Sequence, residues 1–148
     1  MKILFLASAL LVASLASAQS LPSVRAWDAT NIVRQDTFPD GSKYSVLEGD
    51  KNAPGKEFTY AAFVPAGSCD THPHFHSQDA HVAVISGARR LAVGPNPDKA
   101  ASKNYPAGNF VFVPANVEHT MGADVDTIII GTAIRPWKTH DNEEPHHH

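Results

Sequence analysis

The sequence has little cysteine and little positive charge. Its 148 residues contain one cysteine, Cys69, so no intramolecular disulfide can form and the core alone must hold the fold. We expect Cys69 to be a buried free thiol, since unpaired cysteines are commonly core residues. The 12 lysine and arginine residues are outnumbered by 15 aspartate and glutamate residues, which gives a formal net charge of −3. Nucleic acids and anionic membranes bind basic faces, so we expect neither as a partner.

Long hydrophobic runs are also missing, except at the N-terminus. Residues 1–18 combine Lys2, an apolar run and the small residues Ala16-Ser17-Ala18, which is typical of a secretory signal peptide cleaved after Ala18. The run is shorter than the about 20 residues of a transmembrane helix, and no basic flank follows it, so a membrane anchor is the less favoured interpretation. We therefore predict that the protein is exported and is secreted or periplasmic.

Cleavage would leave residues 19–148, with 11 basic and 15 acidic side chains and a net charge of −4. This length suffices for a single domain with one core and is too short for two. We expect residues 19–30 and 136–148 to form arms or edge strands, with residues 140–148 as a disordered tail. The last three residues, His146–His148, are either native or part of a purification tag.

A helical period is absent from the mature chain. No apolar repeat of 3.6 residues is sustained after the signal peptide, and proline or glycine interrupts every candidate. Short runs rich in β-branched and aromatic residues recur instead, each bounded by turn residues. The predicted strands are residues 43–49, 57–65, 81–86, 89–94, 109–114 and 126–134. Many short strands predict an all-β sandwich or barrel.

Histidines are concentrated in THPHFHSQDAH, residues 71–81, which contains four of the nine in the chain. Side chains at i and i+2 of a strand share a face, so His74 and His76 point the same way, about 6 to 7 Å apart. His72 joins them if the strand starts that early. Imidazole is the commonest metal ligand, so two imidazoles on one face favour a metal site over solvated loop residues.

Two spaced motifs resemble those of the cupins, over roughly residues 41–134. The matching residues are, in order, Gly67, His74, His76 and Gly87 for the first motif and Gly108, Pro114 and His119 for the second. The resemblance implies an all-β cupin fold, that is, a jelly-roll or double-stranded β-helix barrel. It also implies a metal held by His74, His76 and His119.

The chain departs from the cupin pattern at the carboxylate ligand. The family's glutamate is separated by six residues from the closing glycine of the first motif, and this chain has Ala80 there. Asn116 replaces the second glycine of the second motif. The fourth coordination position is therefore open. We favour water with a weak contact from the Gln78 amide, because His81 should face outward by strand alternation and His72 lies at an insertion.

A ligand set without a carboxylate changes the expected metal. Two histidines with a carboxylate suit Fe(II), and manganese prefers oxygen ligands, whereas an all-imidazole set favours copper or zinc. Copper is the first expectation because Cu(II) tops the affinity order, zinc is the second, and iron or manganese follow. Zinc with three histidines and water would suit a hydrolase or hydratase, which also needs a general base.

Copper in a small exported domain suggests oxidation with O2 or peroxide. The chain is similar in size, export and histidine-only site to small secreted copper cupins that cleave cellulose oxidatively. A copper-dependent oxidoreductase is therefore the leading hypothesis, acting on a small molecule or an extracellular polysaccharide, with no catalytic residue beyond the metal ligands. The alternatives are a non-catalytic copper- or sugar-binding module and a zinc or manganese isomerase or hydrolase. Apolar runs on both faces of the strands predict a homodimer.

Overall fold

The computed structural model describes residues 23–28, 30–32, 36–38, 41–50, 52–68, 73–95 and 99–141. Several features named above lie outside these ranges. They are the signal peptide of residues 1–18, Cys69, His72 and the terminal His146–His148.

Short alternating segments rich in β-branched and aromatic residues form most of the strands, as expected from the fit of such side chains to a pleated surface. In chain order the strands are β1 (Asp36–Thr37), β2 (Lys43–Glu48), β3 (Glu57–Val64), β4 (His74–His76), β5 (Ala80–Ser86), β6 (Ala88–Val93), β7 (Lys103–Pro106), β8 (Phe110–Val113), β9 (His119–Ala123), β10 (Thr127–Ile134) and β11 (Thr139–Asp141). Among the described residues, one segment is helical, the 3₁₀ turn Lys99–Ala101. None of their helices is long and apolar enough to cross a membrane.

The strands form two antiparallel sheets. One has six strands in the order β1-β2-β3-β10-β5-β8, and the other has five in the order β11-β4-β9-β6-β7. Consecutive strands β4 and β5 lie in different sheets, as do β9 and β10, so the chain crosses repeatedly from one sheet to the other. This arrangement is a jelly roll, and it confirms the all-β prediction.

Alternation along the strands separates an inner from an outer face of the six-stranded sheet. Every second residue of β10 is buried from Thr127 to Ala133, as the period of two requires. The inner cluster joins both sheets and consists of Ala80, Leu91, Val111 and Val113. On the outer face of the six-stranded sheet a second cluster consists of Ile32, Leu47 and Ala61. The core therefore occupies the space between the sheets, and the segment that contains Ile32 covers part of the outside.

Two turns explain the motif positions at Gly87 and Asn116. Gly87, between β5 and β6, has a φ of 72°, and a Cβ there would lie 2.3 Å from the carbonyl oxygen of Asp126. No other residue fits that position without moving the backbone. Asn116, in the turn before β9, has a φ of 61°, a left-handed conformation that asparagine tolerates better than most residues. The replacement of glycine by Asn116 therefore preserves the turn.

The six predicted strands correspond to β2, β3, β5, β6, β8 and β10, each within one residue at either end. The sequence did not predict β7 or β9, because Lys-Asn-Tyr-Pro and His-Thr-Met-Gly-Ala show no apolar alternation. Strand β11 lies within residues 136–148, for which the sequence predicted arms or edge strands, and its residues His140 and Asp141 pair with Phe75 and His74. Backbone pairing holds this short strand, and the His140 ring stacks on Phe75 with centroids 4.8 Å apart.

Candidate metal centre

Two neighbouring strands of the five-stranded sheet position three histidines. His74 and His76 alternate on β4, so their side chains share one face. His119 begins β9 and lies directly opposite His74 in the strand register. Strand β4 is paired on both sides, by β11 and β9, which fixes the register of its two histidines.

The three imidazole rings converge on one point. One ligand nitrogen from each ring lies within 4.8 Å of the other two. The ring centroids are 4.5 Å apart for His74 and His119, 5.1 Å for His74 and His76, and 5.2 Å for His76 and His119. Two nitrogens that bind one ion at about 2.1 Å are at most about 4.2 Å apart, so small ring rotations bring the cluster to bonding geometry. The donor set fits a single transition-metal ion with open positions.

Hydrogen bonding fixes the orientation of His119. Its Nδ1 lies 2.8 Å from the carbonyl oxygen of Val117, which only accepts, so Nδ1 donates its proton there. In a neutral ring the lone pair is then on Nε2, the usual arrangement of a metal-binding histidine whose second nitrogen is held by a carbonyl. The ring is 1% exposed, so this tautomer is shielded from water.

His76 is held as a neutral ring. Burial lowers its pKa to about 3, with further lowering from His74, His119 and the Arg89 guanidinium. At neutral pH the imidazole therefore has a lone pair for a metal and does not have to lose a proton first. Trp137 stacks on the same ring with centroids 4.3 Å apart and an interplanar angle of 30°. Thr139 Oγ1 lies 3.3 Å from its Nδ1.

The cluster opens onto a cavity of about 350 Å³ between the two sheets. His76 and His119 form part of its wall, together with a mainly apolar lining. Tyr60 also lines the cavity, and burial raises the pKa of this phenol, so it stays protonated. Gly131 allows the ring to approach, because a Cβ there would lie 2.3 Å from Tyr60 Cζ. The site is thus a small, largely apolar chamber with imidazoles on one wall.

The other predicted site residues lie in different places. Ala80 is 3% exposed and lines the cavity, so the position of the missing glutamate does face the interior. Gln78 lies in the bend between β4 and β5 and is not part of the cavity wall. His81 is exposed on the outer face, where its ring stacks on Phe110 and Phe112. The structure therefore brings together His74, His76 and His119, and it separates His81 from them.

Two residues of the site were missed at the level of sequence. Trp137 covers His76, and Arg89 enters the cavity wall from β6. A signal for the second existed in the dipeptide Arg89-Arg90 within a strand. Because alternate residues face opposite sides, one of two consecutive arginines had to face inward.

No family model matches the sequence, and no curated protein matches it. Solved structures do resemble it. The polyketide cyclase RemF from Streptomyces resistomycificus superposes with a TM-score of 0.62 at 17% identity, over 84% of this chain and 89% of that one. A cupin-like protein from Thermotoga maritima gives 0.56 at 21% identity, over 68% and 74% of the two chains.

A salicylate 1,2-dioxygenase from Pseudaminobacter salicylatoxidans gives a TM-score of 0.58 at 14% identity, over 75% of this chain. The chain spans about a third of the length of that dioxygenase, since the match covers 33% of it. Identities at this level show the fold alone. Together with the jelly-roll topology and the inward histidines of both motifs, these likenesses identify the fold of this chain as the cupin fold.

Proposed function

We propose that this protein is a mononuclear metal-dependent enzyme that oxidises a small organic molecule inside its barrel, with copper as the metal. The observation that carries the proposal is the convergence of His74, His76 and His119 beside a cavity whose lining, within the described residues, includes no aspartate or glutamate. A bound copper ion would supply Lewis-acid and redox chemistry there. Copper is preferred on the donor set alone, because neutral imidazoles suit Cu and Zn better than iron or manganese.

The residues of the chain have separate tasks in this proposal. His119 presents Nε2 because Val117 holds Nδ1, and His76 is neutral without a change of pH. Trp137 packs against the His76 ring and limits its rotation. The apolar walls exclude water, which strengthens electrostatic interactions between a substrate and the site. The methyl group of Ala80 lines the cavity at the position that the family's glutamate would occupy.

The size of the cavity favours a small substrate. Small-molecule sites usually enclose about 300 to 1,000 Å³, and the cavity of about 350 Å³ lies at the lower end. Solved structures with the same fold include a salicylate dioxygenase, also seen with gentisate, and a polyketide cyclase. An extracellular polysaccharide such as cellulose is the less favoured substrate, since only a chain end could enter.

Metal analysis and oxidant consumption test the proposal. The protein is prepared with His146–His148 replaced by alanine, so that the terminus binds no metal, and is titrated with Cu²⁺ and Zn²⁺. We expect one equivalent of copper to bind in wild type and in His81→Ala, and to be lost in His76→Ala. Copper-loaded protein with ascorbate should consume O2 or peroxide in the presence of small organic substrates. Copper binding without turnover would favour a binding module, and activity with Zn²⁺ or Mn²⁺ alone would favour an isomerase or hydrolase.

Export and a homodimer are part of the same proposal. Phe110 and Phe112 are 64% and 50% exposed on β8, one of the two edge strands of the six-stranded sheet. An exposed apolar edge is a site where a second copy could pair. A monomeric mass in solution at micromolar concentration would contradict the dimer.

Recovery of the uncleaved chain in the cytoplasm would contradict export.

A further inference from the structure

Tyr60 places a phenol in the wall of the barrel. It belongs to β3, and its side chain lines the cavity between the sheets. In the strand register it lies opposite Gly131 of β10, and its ring extends over that glycine, since a Cβ there would overlap both Cζ and Oη. Strand β10 is an inner strand of the six-stranded sheet. The hydroxyl group of Tyr60 therefore lies over the middle of that sheet and not at its rim.

Three aromatic neighbours hold the Tyr60 ring in place. Tyr44 stacks on it with centroids 5.3 Å apart and an interplanar angle of 24°. The centroids of Phe58 and Trp137 are 5.8 Å and 6.4 Å away. Because Trp137 also stacks on His76, the Tyr60 ring is one aromatic ring away from the histidine cluster. A hydroxyl group on a ring held in this way is positioned before a ligand arrives, which lowers the entropic cost of binding.

The Tyr60 hydroxyl group is available to an occupant of the cavity. Within the part of the chain that the structure describes, it forms no hydrogen bond with another side chain or with the backbone. Burial raises the pKa of the phenol, so the group keeps its proton at neutral pH. A polar group without a partner in an apolar enclosure costs free energy, and a ligand that accepts its hydrogen bond recovers that cost. The hydroxyl group is therefore a neutral donor for a ligand.

A carbonyl oxygen is the best match to this donor. It only accepts hydrogen bonds, whereas a hydroxyl group on a ligand also donates and requires an acceptor of its own. Among the described residues, no aspartate or glutamate lines the cavity to provide that acceptor. On the inner face of the same sheet, Ala62, Val82 and Ile129 add apolar side chains to the lining. The surroundings of Tyr60 thus favour a molecule that has a carbonyl group on a hydrocarbon body.

We propose that the cavity binds a small, largely apolar carbonyl compound, whose carbonyl oxygen accepts a hydrogen bond from Tyr60. This inference rests on the proposed function in one respect, since it takes the bound molecule to be the substrate of the same site. Tyr60 and the histidine cluster belong to different sheets, so the ligand lies between them. The phenol then orients the substrate and polarises its carbonyl group.

Calorimetric titration of the metal-free protein with matched ligands tests the inference. Each ketone is paired with the alkene that has a methylene group in place of the oxygen, acetophenone with α-methylstyrene and cyclohexanone with methylenecyclohexane. At least one ketone should bind. Tyr60→Phe removes the hydroxyl group and keeps the ring, so it should weaken binding of that ketone by about 3- to 10-fold and change binding of its alkene by less than about 2-fold. Tyr105→Phe, at a tyrosine of β7 outside the cavity lining, should change neither.

Infrared spectroscopy of the bound ketone provides a readout that a purely structural role of Tyr60 would not change. The carbonyl stretching frequency should be lower in the wild-type complex than in an apolar solvent, because a hydrogen bond weakens the C=O bond. It should return toward the value in apolar solvent in Tyr60→Phe and keep the wild-type value in Tyr105→Phe. Circular dichroism verifies the fold of each variant.

Three results would overturn the inference. They are no ketone binding to folded wild type at millimolar concentration, equal losses for ketone and alkene in Tyr60→Phe, and a carbonyl frequency that is the same in Tyr60→Phe and in wild type. If Tyr60→Phe does not fold, the frequency in the wild-type complex decides, and a value equal to that in apolar solvent contradicts the hydrogen bond.

Copper titration separates this inference from the proposed function. A protein that binds a ketone through Tyr60 but binds no copper would refute the proposed function alone. One that binds copper but no ketone through Tyr60 would refute the inference alone.

Discussion

Replacing Ala80 by glutamate restores the carboxylate that the cupin pattern expects and tests the geometry of the site. Ala80 is 3% exposed and packs against Leu91, Val111 and Val113, so a glutamate there enters an apolar wall. Without metal, the buried carboxyl group avoids the cost of an ionised form by taking up a proton. Its pKa therefore rises above the ordinary value of about 4.3. At pH 7 the folded variant then binds a proton that an unfolded glutamate would not bind.

The size of the effect follows from that proton. Holding a carboxyl group neutral at pH 7 costs up to about 3.7 kcal/mol relative to an unfolded glutamate with a pKa of about 4.3, and about 1 kcal/mol at pH 5. The folded state binds the extra proton, so the stability of metal-free Ala80→Glu should fall as the pH rises from 5 to 7. At pH 7 the melting temperature should drop by up to about 10 to 20 °C. A metal that the carboxylate reaches should recover most of this loss.

Thermal unfolding of Ala80→Glu and Ala80→Gln, at pH 5 and pH 7, with and without Mn²⁺, Fe²⁺ and Cu²⁺, measures the effect. Glutamine matches glutamate in size and cannot ionise, so it reports the cost of volume alone. We expect the glutamate variant to be stabilised preferentially by Mn²⁺ or Fe²⁺, and its preference for copper to decrease. If glutamate and glutamine respond equally to pH and to each metal, position 80 does not reach the metal and the reasoning is wrong.

Three further predictions concern the same site. Each single alanine variant of the three clustered histidines should lose metal affinity by about 100-fold or more in calorimetric titration. The control variant His81→Ala should lose far less. Equal losses for the His76 and His81 variants would contradict the geometry. The pKa of His76 is lowered from 6.5 to about 3 in the folded state. Between these pH values the unfolded chain binds a proton at His76 and the folded protein does not, so the stability of the metal-free protein should fall as the pH drops from 6.5 towards 3. His76→Gln should flatten that part of the stability curve, and an unchanged curve would show that His76 is protonated normally. Gly131→Ala would put a Cβ 2.3 Å from Tyr60 Cζ, so it should displace the ring and cost about 1 to 3 kcal/mol in denaturant unfolding. Tyr60→Ala in the Gly131→Ala background should relieve this overlap. If the double variant keeps the full loss of stability caused by Gly131→Ala, the overlap with Tyr60 is not its cause.

Much of the fold could be predicted because it depends on local chemistry. β-branched runs between turn residues predicted β2, β3, β5, β6, β8 and β10. The resemblance to the cupins placed Ala80 inside, the period of two within a strand then placed His81 outside, and both are seen in the burial of β5. The strands that the sequence missed, β7 and β9, lack apolar alternation and are ordered by pairing with β6, which no local pattern reveals.

The sequence by itself determined that the chain is all β, where its turns lie, and that His74 and His76 share a face. These features are local, because backbone conformation and side-chain alternation extend over a few residues. Only the tertiary structure decided that His119 lies opposite His74, that Arg89 faces inward and not Arg90, and that Trp137 covers His76. Each of these depends on which strands pair and on which face of a sheet meets the other. The metal-binding geometry arises from the pairing of β4 with β9 within one sheet, and the cavity arises from the packing of the two sheets on each other, since both bring together segments distant in the sequence.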